Sequence, residues 1–407
     1  MTPASDTALA GRRVLDLADE SGAYCGKLLA DMGADVIKVE RPGGDASRDI
    51  PPFVDGAPGK DAGLFFLYTN TSKRGVTLDP TRAEGRELFL RLAATADLVV
   101  ETFRPGHLDS LGLGYDALAT VNPALVLTSI SGFGQTGPQR DFVSSDRVAS
   151  ALGGAMAVTG DGEDPPMALA GSQAHIATST CAAASSLIAL YKTRTTGVGQ
   201  HVDVSALETT VAVTHICGVG KWLDDGIIPH RSGTGLFASV PSGAYACADG
   251  LVYLMVNRPA HWQALAQWIH EVTGNEEVLD PMFEGPSSNR LPYRELLDLF
   301  ISDMTARFPV GELYREGQRR HIAFTPVNTA TAVCADAHLA ARDFFVSVEH
   351  PVAGVLQQPG APYRHARTPW RIGRPAPRVG EHNAEIFSGE FGVPEATLAS
   401  FSEAAIV

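Results

Sequence analysis

Cysteine, positive charge and long apolar runs are all scarce in this sequence of 407 residues. The five cysteines, Cys25, Cys181, Cys217, Cys247 and Cys334, are widely spaced and form no C-x-x-C pair, which argues against a disulfide framework or a zinc site. Lysine and arginine total 32 against 46 acidic residues, and the net charge of −14 disfavours broad binding to nucleic acid or to an anionic membrane. Neither a membrane span of roughly 20 apolar residues nor a signal peptide is apparent, so we expect a cytoplasmic protein.

Two common nucleotide-binding motifs are also missing from the sequence. The chain holds no G-x-x-x-x-G-K-[ST] loop, and residues 18–26 (ADESGAYCG) follow the first predicted strand where a dinucleotide-binding protein would have G-x-G-x-x-G. The sequence therefore disfavours ATP and NAD as ligands, and it predicts no metal site. Its length is sufficient for two or three domains with hydrophobic cores.

The first 135 residues alternate between predicted strands and helices. Apolar residues 14–18 precede a helix that ends near Gly33, and residues 34–40 form the next predicted strand. Further strands are predicted at 75–79, 97–103 and 124–133, with helical segments between them. Successive βαβ units predict an α/β fold with a Rossmann-like, doubly wound sheet, whose ligands bind outside the carboxyl ends of the strands.

The composition changes towards glycine, serine and proline near residue 230, and strands are predicted on both sides of an Asp249-Gly250 hairpin turn. We therefore predict a large Rossmann-like domain with connecting helices over 1–225 and a smaller α+β domain over 226–323. A C-terminal segment over 324–407 is predicted to return to the large domain.

Six cations lie beside the ends of the predicted strands, where one cleft can collect them: Lys38, Arg41, Arg48, Lys73, Arg74 and Arg104. A phosphate-rich nucleotide would fit such a cleft. The alternative for each side chain taken singly is a solvated surface charge.

A glycine-rich turn with Gly132, Gly134 and Gly137 follows the strand predicted at 124–133, and Asp146 comes at the predicted start of a helix. The positive end of a helix favours an ionised carboxylate, which makes Asp146 a candidate nucleophile. Capping of its own helix is the alternative role, since aspartate is a favoured N-cap residue.

Six blocks of sequence resemble, in the same order, those of the family III CoA-transferases (CaiB/BaiF family), and the likeness extends over nearly the whole chain. The blocks are residues 28–45, 70–79, 101–115, 129–138, 194–208 and 241–254. The resemblance implies that Asp146, eight residues after Pro138, is the acyl-accepting nucleophile. Gly134, in the glycine turn, and Gln135, which we expect to orient the acyl group, are the other catalytic candidates. Backbone N–H groups of the turn at 132–137 are the expected donors to a developing oxyanion, each worth about 3 kcal/mol.

The resemblance further implies coenzyme A as a substrate, in the form of an acyl-CoA donor, together with a carboxylic acid acceptor and an interlocked, ring-like homodimer. The CoA-binding residues that it implies are Ala18, Ser21, Ala23, Arg41, Lys73, Phe103 and Arg104, and the basic residues at the strand ends add Lys38 and Arg74 to this predicted site. Ser145 and His175 are candidate substrate contacts, and a structural role is the alternative for His175.

The implied activity is acyl-CoA:carboxylate CoA transfer through an aspartyl anhydride and an aspartyl-CoA thioester. One alternative is an isomerase resembling α-methylacyl-CoA racemase, which needs two bases, but Ser145 and His175 stand where that enzyme has His and Asp. Another alternative is a CoA-binding subunit of a heteromeric CoA-transferase.

Overall fold

The structure is a computed structural model that describes residues 7–236 and 239–407. The chain forms two compact units, of which the first combines three segments, Met1–Gly153, Ala170–Val213 and His338–Val407, and the second combines Gly154–Leu169 and Thr214–Ala337. The domain boundaries expected after residues 225 and 323 stay a prediction, and residues 1–6, 237 and 238 of the predicted domains lie outside the described residues.

The first unit contains a sheet, the helices around it and a separate hairpin. In chain order its elements are β1 (Arg13–Leu17), α1 (Ala23–Asp31), β2 (Asp35–Glu40), α2 (Leu64–Thr69), β3 (Arg74–Thr77), α3 (Ala83–Ala93), β4 (Leu98–Glu101), α4 (His107–Ser110), α5 (Tyr115–Val121), β5 (Val126–Ser131), α6 (Asp146–Leu152), α7 (Gln173–Thr196), β6 (His201–Ser205) and α8 (Ala206–Val213).

Six parallel strands form this sheet in the order β3-β2-β1-β4-β5-β6. The predicted α/β fold with a parallel sheet is therefore confirmed. Most strand residues are buried and apolar because helices cover both faces of a parallel sheet. The order in which successive strands join the sheet reverses between β1 and β4, and ligands bind at this position in a doubly wound sheet.

Alternate strand residues supply two hydrophobic clusters. Leu15 and Ile37 belong to the cluster that contains residues of α3 and α5, whereas Val14 and Val36 belong to the cluster that contains residues of α1 and α7. This alternation follows from the two-residue period of a strand, which places successive side chains on opposite faces.

The second unit has its own antiparallel sheet and core. Its elements are α9 (Val219–Asp225), β7 (Ser242–Ala246), β8 (Leu251–Met255), α10 (Pro259–Thr273), α11 (Arg294–Thr305), α12 (Val310–Arg319), β9 (Ala323–Pro326) and α13 (Ala330–Cys334). The unit ends at Ala337, the first residue of α14 (Ala337–Ala341), and the rest of α14 belongs to the first unit. The sheet order is β7-β8-β9, and the core includes Trp262, Trp268, Phe283 and Phe324.

The chain then returns to the first unit with β10 (Phe345–His350), β11 (Gly354–Pro359), a π-helix (Ala384–Glu390) and α15 (Glu395–Glu403). Edge strand β3 is covered there, because Thr77 N donates to Asn383 Oδ1 at 2.9 Å and His382 N donates to Gly75 O at 2.9 Å. Ile386 and Phe387 join the same core cluster as Leu15.

By length and composition alone, helix α7 could cross a membrane, with a mean hydropathy of 1.2 over 18 of its residues. From the sequence we expect no membrane span. Within the fold, 44% of these 18 residues are buried, and residues of α7 pack with those of α1 and β5 in one cluster. A helix in a protein core has the same length and composition, so no membrane span is evident.

Candidate active site

A cavity of about 310 Å³ lies at the carboxyl ends of β1, β4 and β5. The turn after β1 contributes Asp19, Glu20 and Ser21 to its wall, and the turn after β4 contributes residues 102–105. The remaining wall comes from the end of β5, the segment before α6, the first turns of α7 and Ala206 at the start of α8. The cavity therefore occupies the ligand position expected from the sheet topology.

Asp146 is the first residue of α6, as the sequence predicts, but it does not cap its own helix. Ser145 is the N-cap, and its Oγ accepts a hydrogen bond from Val148 N at 3.3 Å. Asp146 Oδ1 instead accepts from His175 N at 2.9 Å, in the first turn of the 24-residue helix α7. The carboxylate thus meets a helix N-terminus, where negative charge is stabilised.

Asp146 is connected to the cavity through its neighbours. Asp146 is not among the lining residues, but Ser145, next to it in sequence, and His175, next to it in space, both line the wall. Burial lowers the pKa of His175 below its ordinary value, against the opposing effect of the Asp146 charge. The imidazole is therefore neutral near pH 7.

Two N–H groups of the glycine turn, those of Gly134 and Gln135, already donate hydrogen bonds within the protein. Gly134 has a φ of 85°, and its N–H donates to Ser131 Oγ at 2.9 Å, while Gln135 N donates to Asp203 Oδ2 at 2.9 Å. Both N–H groups therefore already have acceptors, one at the end of β5 and one in β6, and oxyanion stabilisation by the turn at 132–137 stays a prediction. The Gln135 side chain lies in a different cavity.

Gly132 allows the segment before α6 to approach the sheet closely. A Cβ atom at Gly132 would lie 2.2 Å from Ser144 Cβ, a distance that real Cβ atoms do not adopt. Ser144 lines the cavity, and its buried hydroxyl has no hydrogen-bond partner among the described residues.

The expectation that six cations gather in one cleft is wrong. Lys38 and Lys73 are fully buried, with Lys73 Nζ 2.6 Å from Asp16 Oδ2 and 3.0 Å from Ala23 O, and Lys38 Nζ bonded to Ala18 O. Ala18 and Ala23 are themselves fully buried. The two lysines therefore bond to the two ends of the turn between β1 and α1 from inside the protein, and they do not face a ligand.

Three other cations of that set also lie away from the cavity wall. Arg48 is fully buried between Glu40 and Asp61, and Arg74 pairs with Asp35, Glu385 and Glu390. Arg41 is exposed, and its Nε donates to Gly44 O at 3.1 Å. Buried cations are stable only when paired, which accounts for the carboxylates around Arg48 and Arg74.

The remaining predicted residues do come together. Ser21, Phe103, Arg104, Ser145 and His175 all line the 310 Å³ cavity. Arg104 is exposed and forms no ion pair within the part of the chain that the structure describes. Arg140, which the sequence analysis did not select, adds a second guanidinium to this wall, although it directly follows the glycine turn.

A second cavity of about 200 Å³ adjoins the turn after β4 on its other side. Its wall includes Glu101, Gln135, His201 and also Arg104, which is common to both cavities. The Gln135 side-chain nitrogen is buried without a hydrogen-bond partner among the described residues. The turn after β4 therefore separates two polar cavities.

Comparison with known proteins identifies the family. The model of CoA-transferase family III matches residues 9–383. The succinyl-CoA:(R)-benzylsuccinate CoA-transferase subunit BbsE of Thauera aromatica is 38% identical over 94% of this chain and 94% of its own length. The formyl-CoA:oxalate CoA-transferase of Streptomyces avermitilis is 34% identical over 96% of this chain and 97% of its own length.

A solved structure agrees with these sequence matches. The crystal structure of a CaiB/BaiF family protein from Brucella suis has a TM-score of 0.82 and 29% identity, and the match covers 94% of this chain and 99% of that chain. The resemblance drawn from the sequence blocks is confirmed. The chain belongs to CoA-transferase family III and is a CoA-transferase.

Proposed function

We propose that this protein is an acyl-CoA:carboxylate CoA-transferase in which Asp146 is the nucleophile. The observation that supports this role most directly is the hydrogen bond from His175 N to Asp146 Oδ1 beside the cavity. It orients the carboxylate at the positive end of α7. Oδ2 accepts no hydrogen bond from the described residues and is the proposed attacking atom.

The proposed reaction exchanges one thioester for another, so ATP is not needed. Asp146 Oδ2 attacks the thioester carbonyl, the C–S bond breaks, and an acyl-aspartyl anhydride forms with release of CoA thiolate. The thiolate then attacks Asp146 Cγ, which releases the donor acid and leaves aspartyl-CoA. The acceptor carboxylate repeats these two steps in reverse and leaves as its own CoA thioester.

Oxyanions that develop in these steps need fixed donors. Because Gly134 and Gln135 use their N–H groups within the turn, we assign this role to the Ser144 hydroxyl, which is buried, lines the cavity and has no other partner among the described residues. Ser144 is two residues from Asp146, which keeps the donor on the same short segment as the nucleophile.

The cavity wall favours an acyl group with a second negative charge. Arg104 and Arg140 both line it, and guanidinium groups bind carboxylates with two parallel hydrogen bonds. The names of the two relatives mention four substrates, of which succinyl-CoA, (R)-benzylsuccinate and oxalate derive from dicarboxylic acids and formyl-CoA does not. We therefore propose dicarboxylic acids, as free acid and as CoA thioester, as the substrate class.

The variant Asp146→Asn tests the nucleophile because its amide oxygen can still accept from His175 N. We expect its transfer rate from succinyl-CoA to a panel of dicarboxylic acids to fall by at least about 10³-fold, with little change in the Kd for CoA. Asp49→Asn, at an exposed ion pair, is the matched control and should retain wild-type turnover. Hydroxylamine should convert Asp146 of the wild type, under turnover, into a hydroxamate that peptide mass spectrometry detects.

Retention of most turnover by Asp146→Asn would exclude Asp146 as the nucleophile. An exchange experiment in deuterated solvent then distinguishes the racemase-like isomerase from the transferase. Exchange at the α-carbon of an acyl-CoA without any acceptor acid would favour the isomerase, whereas deuterium-free products that require an acceptor favour the transferase.

One observation favours a second candidate, a subunit of a heteromeric CoA-transferase, because the relative from Thauera aromatica is named as a subunit. Turnover by the pure protein alone would argue against this candidate. CoA binding without turnover, followed by activity on addition of a homologous chain, would support it.

We also propose a homodimer in the cytoplasm. Helix α7 carries an apolar stripe on its outer side, where Ile188 and Tyr191 are 70% and 71% exposed and Leu187 is also exposed. Contiguous exposed apolar residues of this kind mark interaction surfaces, and a second copy of the chain would cover them.

A further inference from the structure

Glu101 ends β4 directly behind the turn that forms part of the active-site wall. Its side chain is buried, with an exposed fraction of 4% for the residue, and its Oε2 accepts from Phe103 N at 2.6 Å. This bond closes the turn over Thr102, so that Phe103 and Arg104 line the 310 Å³ cavity. Glu101 itself lines the second cavity on the other side of the turn.

A chain of hydrogen bonds connects Glu101 to the neighbouring strands. Glu101 pairs with Ser129 in the register of β4 and β5, and the Ser129 hydroxyl bonds its carboxylate. Ser129 Oγ also lies 2.8 Å from His201 Nε2 at the start of β6. Because a hydroxyl has one proton, Ser129 donates to Glu101 only when His201 Nε2–H donates to Ser129.

The proton on Glu101 changes what its oxygens can do. An ionised carboxylate accepts hydrogen bonds at both oxygens, whereas a protonated carboxyl group has one donor and holds a backbone N–H less strongly. Burial raises the pKa of Glu101 to about 7, with smaller raising effects from Asp109 and Asp19, against the lowering effect of the bonds from Ser129 and Phe103 N. Both states are therefore populated at neutral pH.

The other titratable or charged groups around Glu101 come from each element packed against it. They are Asp19 after β1, Arg104 after β4, His107 and Asp109 in α4, Tyr115 and Asp116 at the start of α5, and His201 in β6. Burial lowers the pKa of His201 and raises that of Tyr115. Both shifts move these two groups away from the neutral range in which Glu101 titrates.

We propose that Glu101 is a positioning residue that holds the turn at 102–105 in its CoA-binding conformation only while its carboxyl group is ionised. This inference rests on the proposed function, since it takes the cavity beside Phe103 and Arg104 as the site of CoA. Glu101 acts through the turn and does not touch the substrate. The chemistry at Asp146 does not depend on it.

The expected consequence is weaker CoA binding at acidic pH. If only the ionised form binds well, a pKa of about 7 makes the wild-type Kd about tenfold higher at pH 6 than at pH 8. The KM for an acyl-CoA should follow the same profile, and the kcat should change much less. A purely structural role for Glu101 would not give this division between KM and kcat.

Calorimetric titration at pH 6 and pH 8 tests the proposal, with CoA and dephospho-CoA as probes. Dephospho-CoA lacks the phosphate monoester that itself titrates near pH 6, so a profile shared by both probes belongs to the protein. Glu101→Gln keeps an acceptor oxygen without a titratable proton, and its Kd should change less than twofold between the two pH values. Glu84→Gln, on the exposed side of α3, is the matched control and should keep the tenfold change.

Ser129→Ala supplies a second test that does not alter Glu101. The Ser129 hydroxyl lowers the pKa of Glu101, so its removal should move the midpoint of the binding profile to higher pH. His201→Gln should keep the pH dependence, and its loss in this variant would assign the titration to His201 and overturn the proposal. An unchanged profile in Glu101→Gln would also overturn it.

The wild-type titration separates failure of this inference from failure of the proposed function. CoA binding that is the same at pH 6 and pH 8 would contradict only the role of Glu101. A complete lack of CoA binding at both pH values would contradict the proposed function itself.

Discussion

Charged side chains near the cavity divide into those that the protein encloses and those that face the cavity. Lys73 and Asp16 are both fully buried and 2.6 Å apart, whereas Arg104 is exposed on the cavity wall. A buried charge is tolerated only with a partner, so the enclosed residues maintain the shape of the turn between β1 and α1. The exposed guanidinium remains available for a ligand.

Lys73→Met should destabilise the protein strongly because it leaves Asp16 ionised and buried without its partner. Removal of one member of a buried ion pair costs about 3–5 kcal/mol of unfolding free energy. Urea denaturation of the variant and the wild type measures this difference. Lys60→Met breaks an exposed pair with Asp49 and should cost less than about 1 kcal/mol.

Equal losses in Lys73→Met and Lys60→Met would contradict the structural role of Lys73. If Lys73 instead contacts the CoA phosphates directly, the variant would weaken CoA binding without a matching loss of stability. The comparison of Kd with unfolding free energy therefore distinguishes an enclosed cation from a ligand-binding one.

At the scale of elements, the position of Asp146 depends on the short helix α6. This helix has seven residues, and such helices are marginal without a cap. Its N-cap, Ser145, accepts from Val148 N, and the residue immediately after it is the proposed nucleophile. Fraying of the first turn would displace Asp146 from the N–H of His175.

Ser145→Ala should therefore lower kcat while the Kd for CoA stays near the wild-type value. Loss of an N-cap costs about 1 kcal/mol, and the displaced carboxylate attacks the thioester less efficiently. Ser145→Thr restores a capping hydroxyl and should recover most of the kcat. Steady-state kinetics with succinyl-CoA measure both variants. A lower kcat that Thr does not restore would assign the effect to substrate contact by Ser145 instead.

The strands and the start of α6 could be predicted from the sequence because buried parallel strands appear as short apolar runs between helical segments. The inward direction of the Lys38 side chain could not be predicted. It pairs with Asp16 in the register of β1 and β2, and only the folded sheet reveals that register. For the same reason, the glycine turn identified the region of the active site but not the internal partners of its N–H groups.

At the scale of the whole molecule, helix α7 has more apolar surface than one chain covers. Its inner side contributes Ala182, Ala183 and Leu190 to a buried cluster, while Ile188 and Tyr191 remain exposed. A helix that is apolar on all sides is normally enclosed. The proposed homodimer accounts for the outer side of α7 and for its high mean hydropathy.

Ile188→Glu should shift the protein from dimer to monomer because it places a charge in the proposed interface. Sedimentation velocity of the wild type should give about twice the mass of the chain, and the variant should give a smaller value at the same concentration. Leu299→Glu is the matched control, since Leu299 is 67% exposed on α11. A wild-type monomer, or a variant that remains a dimer, would contradict the role of this face.

The covering of β3 by residues far along the chain has a consequence for biosynthesis. Thr77 and Asn383, which join across this edge, are 306 positions apart. A ribosome therefore completes β1, β2 and β3 long before it makes the segment that protects them. Until then the nascent chain presents an open sheet edge, a known hazard for aggregation, so we expect this protein to need chaperones during synthesis and to tolerate premature termination poorly.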